Sequence, residues 1–342
     1  MQAALDILRE RELIAVLAAF GEAGMGTLLL KGAALAYSHY PEPALRTRCD
    51  TDLLIRPADR AVAMQVLERR GYARRNAVSG KLISYEACFV RLEGNVDHVI
   101  DLHWQVNNGQ AFARALCYDE ATARSVPVAQ LGALARGLYP PHAMLLACMH
   151  RAAHLGIDGP EGNRLIWLYD IHLLATAMTS GQWRDYAQMC AEKNMRRVSL
   201  DAFSVTRQAF ATPFPDEVIR SLAHPDTEET SAAYLDSDRL GLLLTDMRAL
   251  ASWRSRATLM RELAFPPANY LLAKYRARSR WLLPWWAECA RRNPISFGDN
   301  FLEEPDLFPA RQSGEPWGKR ADSCTAAERF LHYGASMSSA IS

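Results

Sequence analysis

The chain has 342 residues, 49% of them hydrophobic and 23% charged, with 39 basic and 38 acidic side chains. This is the make-up of a soluble globular protein with enough apolar material for two packed domains. A net charge of +1 excludes recruitment of nucleic acid by bulk electrostatics, so any steering must come from local clusters. No stretch approaches the roughly 20 consecutive apolar residues of a membrane span.

The N-terminal stretch carries Asp6, Arg9, Glu10, Arg11 and Glu12 and lacks the layout of a signal peptide. Seven cysteines (Cys49, Cys88, Cys117, Cys148, Cys190, Cys289 and Cys324) are scattered without a C-x-x-C pair. That pattern argues against a disulfide framework or a zinc site and for a reducing, cytoplasmic setting.

Residues 2–22 place apolar side chains at helical period, and Gly24-Met25-Gly26 ends that helix before a short buried strand, Thr27 to Leu30. Lys31-Gly32 then turns into an alanine-rich helix over 32–37. A strand that runs through glycine into a helix leaves unpaired N–H groups pointing at one spot, which suits an anion. Pro41 and Pro43 close that helix, Arg46 and Arg48 follow, and Thr51 to Ile55 reads as a strand stopped by Pro57.

Asp59 to Arg70 reads as an amphipathic helix with Val62, Met64, Val66 and Leu67 inward and Gly71 as its left-handed cap. Lys81 to Leu92 and Val96 to Trp104 read as a hairpin around Glu93-Gly94-Asn95. The stretch 107–139 is expected to be partly helical and to connect two domains. Beyond Pro140 the pattern is helical: His142 to Leu155, Leu165 to Met178, Trp183 to Lys193, Val198 to Phe210 and Ala232 to Arg254. The residues from 297 onward carry few periodic signals and read as an extended or disordered tail.

Three carboxylates stand out. Strand periodicity puts Asp50 and Asp52 on one face, with Thr51 and Leu53 opposite. It puts Asp101 with Val99 and His103, and Ile100, Leu102 and Trp104 on the other face. Two like charges beside an apolar strand repel unless a cation neutralises them. Mg²⁺ suits carboxylate oxygens and brings substrate phosphates with it. The rival explanation is a structural ion pair with Arg46 or Arg48. Asp101, flanked by Ile100 and Leu102, is costly to bury without a partner. A third carboxylate is what a two-metal site uses, although pairing with His103, Arg91 or Lys81 would also satisfy it. Lys31 and the Gly32 backbone would grip phosphate.

These residues resemble a known family. The run L-K-G-x-A-L at 30–35, then D-x-D-L-L-I at 50–55 just after Arg46 and Arg48, Gly71-Tyr72, and D-L-H-W at 101–104 is similar to the nucleotidyltransferase fold related to DNA polymerase β. More narrowly, it resembles an uncharacterised bacterial nucleotidyltransferase family. His150, His154, Arg164, Trp167 and Asp170 match that family's H-x-x-x-H … R-L-x-W-x-x-D pattern, and Phe265-Pro266-Pro267 its late F-P-x motif. Lys31-Gly32 departs from the Gly-Ser or Gly-Gly of the wider superfamily.

The resemblance implies an α+β fold: a minimal nucleotidyltransferase mixed sheet with flanking helices, followed by an α-helical domain. The expected division is a catalytic core at 1–106, a connecting segment at 107–139, a helical domain at 140–296 and a tail at 297–342. The implied reaction moves a nucleoside monophosphate from an NTP to an acceptor hydroxyl or phosphate and releases pyrophosphate. Asp50, Asp52 and Asp101 would hold two Mg²⁺ and carry catalysis, while Lys31, Gly32, Arg46 and Arg48 would bind the triphosphate. The acceptor is read as a small molecule or a peptide.

Two alternatives remain open: a toxin-like enzyme modifying protein or tRNA, and a nucleotide-binding regulatory module without turnover. The first would use the stretch from Arg248 to Arg292, which carries ten Lys or Arg and Trp281, Trp285 and Trp286, to contact RNA. His150 and His154 are either a metal pair completed by Asp158 or Asp170, or part of the wall between the domains.

Overall fold

The computed structural model describes residues 2–267, apart from 76–78, 95, 159–162, 224–228 and 237. Its first helix, α1 (Gln2–Glu22), leads into β1 (Thr27–Leu29) and then α2 (Lys31–Ser38). β2 (Thr51–Ile55), α3 (Arg60–Arg69) and β3 (Ala73–Arg74) follow. The hairpin β4 (Glu86–Glu93) and β5 (Val96–His103) completes the expected strands. Gly71 takes φ +85°, the left-handed cap expected after α3. Val62 lies on the solvent side of that helix, so the buried stripe is Ala63, Val66 and Leu67.

Among the described residues the strands form one mixed sheet in the order β3-β4-β5-β2-β1-β7-β6. The two last are short additions, β6 (Val126–Pro127) and β7 (Arg136–Gly137), supplied by the connecting stretch 107–139. That stretch also holds α4 (Gln110–Ala113) and α5 (Tyr118–Ala123). β1 runs antiparallel to β2, and β2 runs parallel to β5 with Asp52 opposite Asp101.

β4 begins at Glu86 rather than Lys81 because a side chain has claimed the preceding backbone donors. Glu262 accepts from the N–H groups of Lys81, Leu82 and Ile83 at 2.8–3.1 Å, and Asn108 Oδ1 accepts from Tyr85 N at 2.7 Å. A backbone satisfied in this way has no donors left for a neighbouring strand.

The helical part runs α6 (Pro140–Asp158), α7 (Leu165–Ala177), α8 (Ser180–Glu192), α9 (Arg196–Phe210) and α10 (Asp216–Leu222). The single helix expected over 232–254 is instead α11 (Ala233–Asp236) and α12 (Arg239–Ala249), with α13 (Trp253–Ala264) beginning near its end. The breaks are capped: Asp238 accepts from Gly241 N at 2.8 Å and Ser252 from Ser255 N at 3.1 Å. Such caps satisfy the donors that a new helix start exposes.

Side-chain alternation in the strands divides the core. Leu53, Ile55, Ile100, Leu102 and Trp104 pack with Leu13, Val16, Phe20 and Leu67 from α1 and α3. Leu28, Leu30 and Leu54 face the other way, into one cluster with Met144, Met149, Ile171 and Phe203 of the helical part. Asp52 has the phase of Leu54, so the carboxylate face of the sheet is the one the helices cover. No helix among the described residues is long and apolar enough to cross a membrane.

Candidate active site

Asp52 stands at the middle of the site. Lys31 Nζ donates to its Oδ1 at 2.7 Å, and His103 Nε2 lies 2.8 Å from the same oxygen. The other nitrogen of His103 lies 3.2 Å from Glu86 Oε2. An imidazole between two carboxylates is suited to donate from both nitrogens as an imidazolium. Burial and the Lys31 charge lower the His103 pKa, but the Asp52 hydrogen bond and the Glu86 and Asp52 charges outweigh them and raise it. Burial disfavours the Asp52 charge, yet Lys31 and then His103 overcome that, and Asp52 is held well below the usual carboxylate range.

Lys31 heads α2 with φ +46°, a left-handed backbone that side chains other than glycine adopt at a cost. Its side chain is one-fifth exposed. Burial opposes its charge, and Asp52 followed by Glu86 reverses this and raises its pKa.

Asp101, directly opposite Asp52 across the parallel pair, is buried, and its Oδ1 has no hydrogen-bond partner among the described residues. Burial, then the charges of Asp52, Asp50 and Glu86, push it up to about 7, against the opposing pull of His103. Asp50, just ahead of β2, is likewise raised, first by burial and then by Asp52.

Glu86 is the member that sequence reasoning missed. The turn after Glu93 pairs Glu93 with Val96, and counting back along the hairpin places Glu86 opposite His103. The expected hairpin carries that signal, because its register continues from the Glu93–Val96 pair to the Glu86–His103 pair.

Arg46 lies against the glycine of the turn. A Cβ added at Gly32 would stand 2.9 Å from Arg46 Nη2. The guanidinium is held by Asp170 of α7 through Nε at 2.9 Å and Nη2 at 2.8 Å. Tyr40 donates to Asp170 Oδ1 at 2.8 Å. Arg48 is turned away, buried against Tyr37, to whose hydroxyl it donates at 2.8 Å, and 3.6 Å from Asp6. The structure therefore brings Lys31, Gly32, Arg46, Asp50, Asp52 and Asp101 together and sets Arg48 apart.

His150 and His154 meet one another and Trp167 through their rings, while Asp170, one acid considered as a fellow ligand, serves Arg46 and Tyr40. Of the basic stretch, Arg248, Arg254, Arg256 and Arg261 are described; Lys274 to Arg292 and the three tryptophans lie outside the described residues.

The donor set suits a divalent cation. Four carboxylates face one ammonium and one imidazole, and Asp101 carries an orphaned buried oxygen. Hard, oxygen-only ligands of this kind favour a hard divalent cation such as Mg²⁺ or Ca²⁺. Among the described residues no three His, Cys, Asp or Glu side chains are already drawn together to hold a metal. Lys31 and His103 both engage Oδ1 of Asp52, which leaves its second oxygen for a cation.

Carboxylates thus stand on adjacent parallel strands, beside a lysine and glycine that head a helix. Residues 1–211 match the family described as "Uncharacterised nucleotidyltransferase", and the chain belongs to that family; its class of activity is nucleotidyl transfer. No curated protein matches the chain. One solved structure with some similarity is the antibiotic-resistance factor ANT(2'')-Ia in solution. It is 15% identical, with 60% of this chain and 99% of that chain covered, at a TM-score of 0.36. A likeness at that level bears on neither fold nor activity here.

Proposed function

We propose that the protein transfers a nucleoside monophosphate from an NTP to an acceptor hydroxyl or phosphate and releases pyrophosphate. One observation carries the reading: Asp52 and Asp101 stand opposite one another on parallel strands, with Asp50 close enough to raise Asp101 further. The acceptor oxygen attacks the α-phosphorus, and the bond from that phosphorus to the bridging oxygen breaks. Pyrophosphate leaves with the electron pair, and the acceptor's proton passes to Asp101.

Asp50, Asp52 and Asp101 would hold two Mg²⁺, which when bound would supply charge neutralisation at the attacking and leaving oxygens. Lys31 and the Gly32 backbone orient the triphosphate, and Arg46 adds positive charge beside Gly32. Arg48, fixed against Tyr37, supports the loop and is not assigned to the nucleotide. Catalysis by such a site is positioning and charge neutralisation.

The sheet-bearing core at 1–106 forms one wall, the connecting segment 107–139 extends the sheet edge, and the helical domain from 140 forms the other. The acceptor carried forward is a small molecule or a peptide. A protein or tRNA acceptor would draw on the basic stretch 248–292, most of which lies outside the described residues. The scattered cysteines, with no C-x-x-C pair among them, support a cytoplasmic setting.

The test is label transfer from each α-labelled NTP with Mg²⁺, in the presence of cell extract, together with pyrophosphate release. The unaltered protein should transfer label, and Asp52→Asn should abolish transfer. No label moved and no pyrophosphate released from any of the four NTPs would refute catalysis. Nucleotide binding without turnover would leave the regulatory module in its place.

A further inference from the structure

The helical wall facing the carboxylates carries a ring cluster for which the chemistry above has no use. His150 and His154 lie one turn apart on α6, and their rings and the Trp167 indole meet pairwise at centroid separations of 4.6 Å. Arg164, just ahead of α7, sets its guanidinium 4.8 Å from the centre of the same indole. All four side chains keep some exposure to solvent.

Contacts already described place this cluster relative to the turn. Trp167 and Asp170 are three residues apart on α7 and therefore project from one face, about one turn apart. Asp170 grips Arg46, and Arg46 lies over Gly32. The rings thus stand one helical turn from Asp170, the carboxylate that holds Arg46 over Gly32. The electrostatics of His150 agree with this placement. Burial, then Lys31 and His154, lower its pKa well below the usual imidazole value, and Asp52 opposes them. A neutral imidazole offers one donor and one acceptor. Flat aromatic and guanidinium surfaces stack bases of any sequence.

We propose that Arg164, Trp167, His150 and His154 form the nucleobase subsite of the cleft, with the base of the NTP stacked on the Arg164–Trp167 layer and the imidazoles at its edge. The inference rests on the nucleotidyl-transfer reading and adds the part of the substrate that reading leaves unplaced.

Calorimetric titration of the full chain with α,β-methylene analogues of the four NTPs, and with inorganic tripolyphosphate, all with Mg²⁺, tests it. Trp167→Ala should weaken the preferred nucleotide analogue at least tenfold, and Trp167→Phe should recover most of that loss. Arg164→Ala, at an exposed position, should weaken it severalfold without endangering the fold. Tripolyphosphate binding should be unchanged in all three. Unchanged nucleotide affinity in Trp167→Ala and Arg164→Ala overturns the subsite, as does an equal loss for tripolyphosphate. If the unaltered protein binds tripolyphosphate as tightly as any nucleotide, the subsite falls alone. If it binds neither, the nucleotidyl-transfer reading falls with it.

Discussion

Replacing Asp101 with Asn should stabilise the metal-free protein at alkaline pH while abolishing transfer. Asp101 is pushed up to about 7 by burial and by Asp52, Asp50 and Glu86, whereas its unfolded value is about 3.9. Between those values the folded chain holds a proton that the unfolded chain has lost, so stability falls as pH rises from about 4 to about 7. Roughly three pKa units at about 1.4 kcal/mol each set a ceiling near 4 kcal/mol. Asn removes that term, but its buried amide needs partners of its own. Since Oδ1 of Asp101 has none, an unsatisfied amide takes back about 1–3 kcal/mol. The net expectation is a gain of about 2 kcal/mol at pH 8, vanishing or reversed at pH 4. Urea unfolding of both proteins in EDTA at the two pH values measures it. A variant less stable than the parent at pH 8, or a gap that is the same at both, would refute the account of Asp101 as an uncompensated carboxylate.

Lys31→Met removes one partner of a mostly buried ion pair and should lower stability by about 3 kcal/mol in the same assay. Lys31→Gly should lose about 1 kcal/mol less than Lys31→Met, because φ +46° costs an L residue roughly that much; the reverse order would contradict the strained backbone. Asp170→Asn leaves the Arg46 guanidinium without its carboxylate and should cost about 3 kcal/mol, with a rise in KM for the NTP larger than any fall in kcat. Tyr40→Phe, which removes a single hydrogen bond to the same carboxylate, should cost only about 1 kcal/mol.

The aspartates were legible in the sequence because strand periodicity is strict: residues two apart share a face, so Asp52 follows Leu54 and Asp101 follows His103. The pairing of β2 with β5 that sets Asp52 opposite Asp101 was not, since a parallel register depends on the whole connection between the strands. Arg46 and Asp170 are separated by 124 positions, and no local spacing announces that contact. β6 and β7 have two residues each, too few to show any period. The breaks before α12 and α13 were announced by Asp238 and Ser252, which are good caps. The apolar pattern running through them had argued for one continuous helix, and the caps prevailed.

Lys31 cannot serve its two partners at once. Its ammonium sits on Asp52 Oδ1 at 2.7 Å, and the same ammonium is the group beside Gly32 best placed to meet a triphosphate. Asp52 cannot be left bare, because Asp50 and Asp101 stand near it and its own burial opposes its charge. Lys31 can therefore turn to phosphate only when another positive charge takes its place on Asp52. His103 already spends one nitrogen there and the other on Glu86, and Arg46 is committed to Asp170. No cation of the chain among those described at the site is left to make the exchange. On the proposed reading the replacement charge would arrive with the substrate, as a divalent ion carried on the triphosphate does. In that arrangement Lys31 would guard Asp52 in the resting protein and meet the triphosphate once the ion has replaced it.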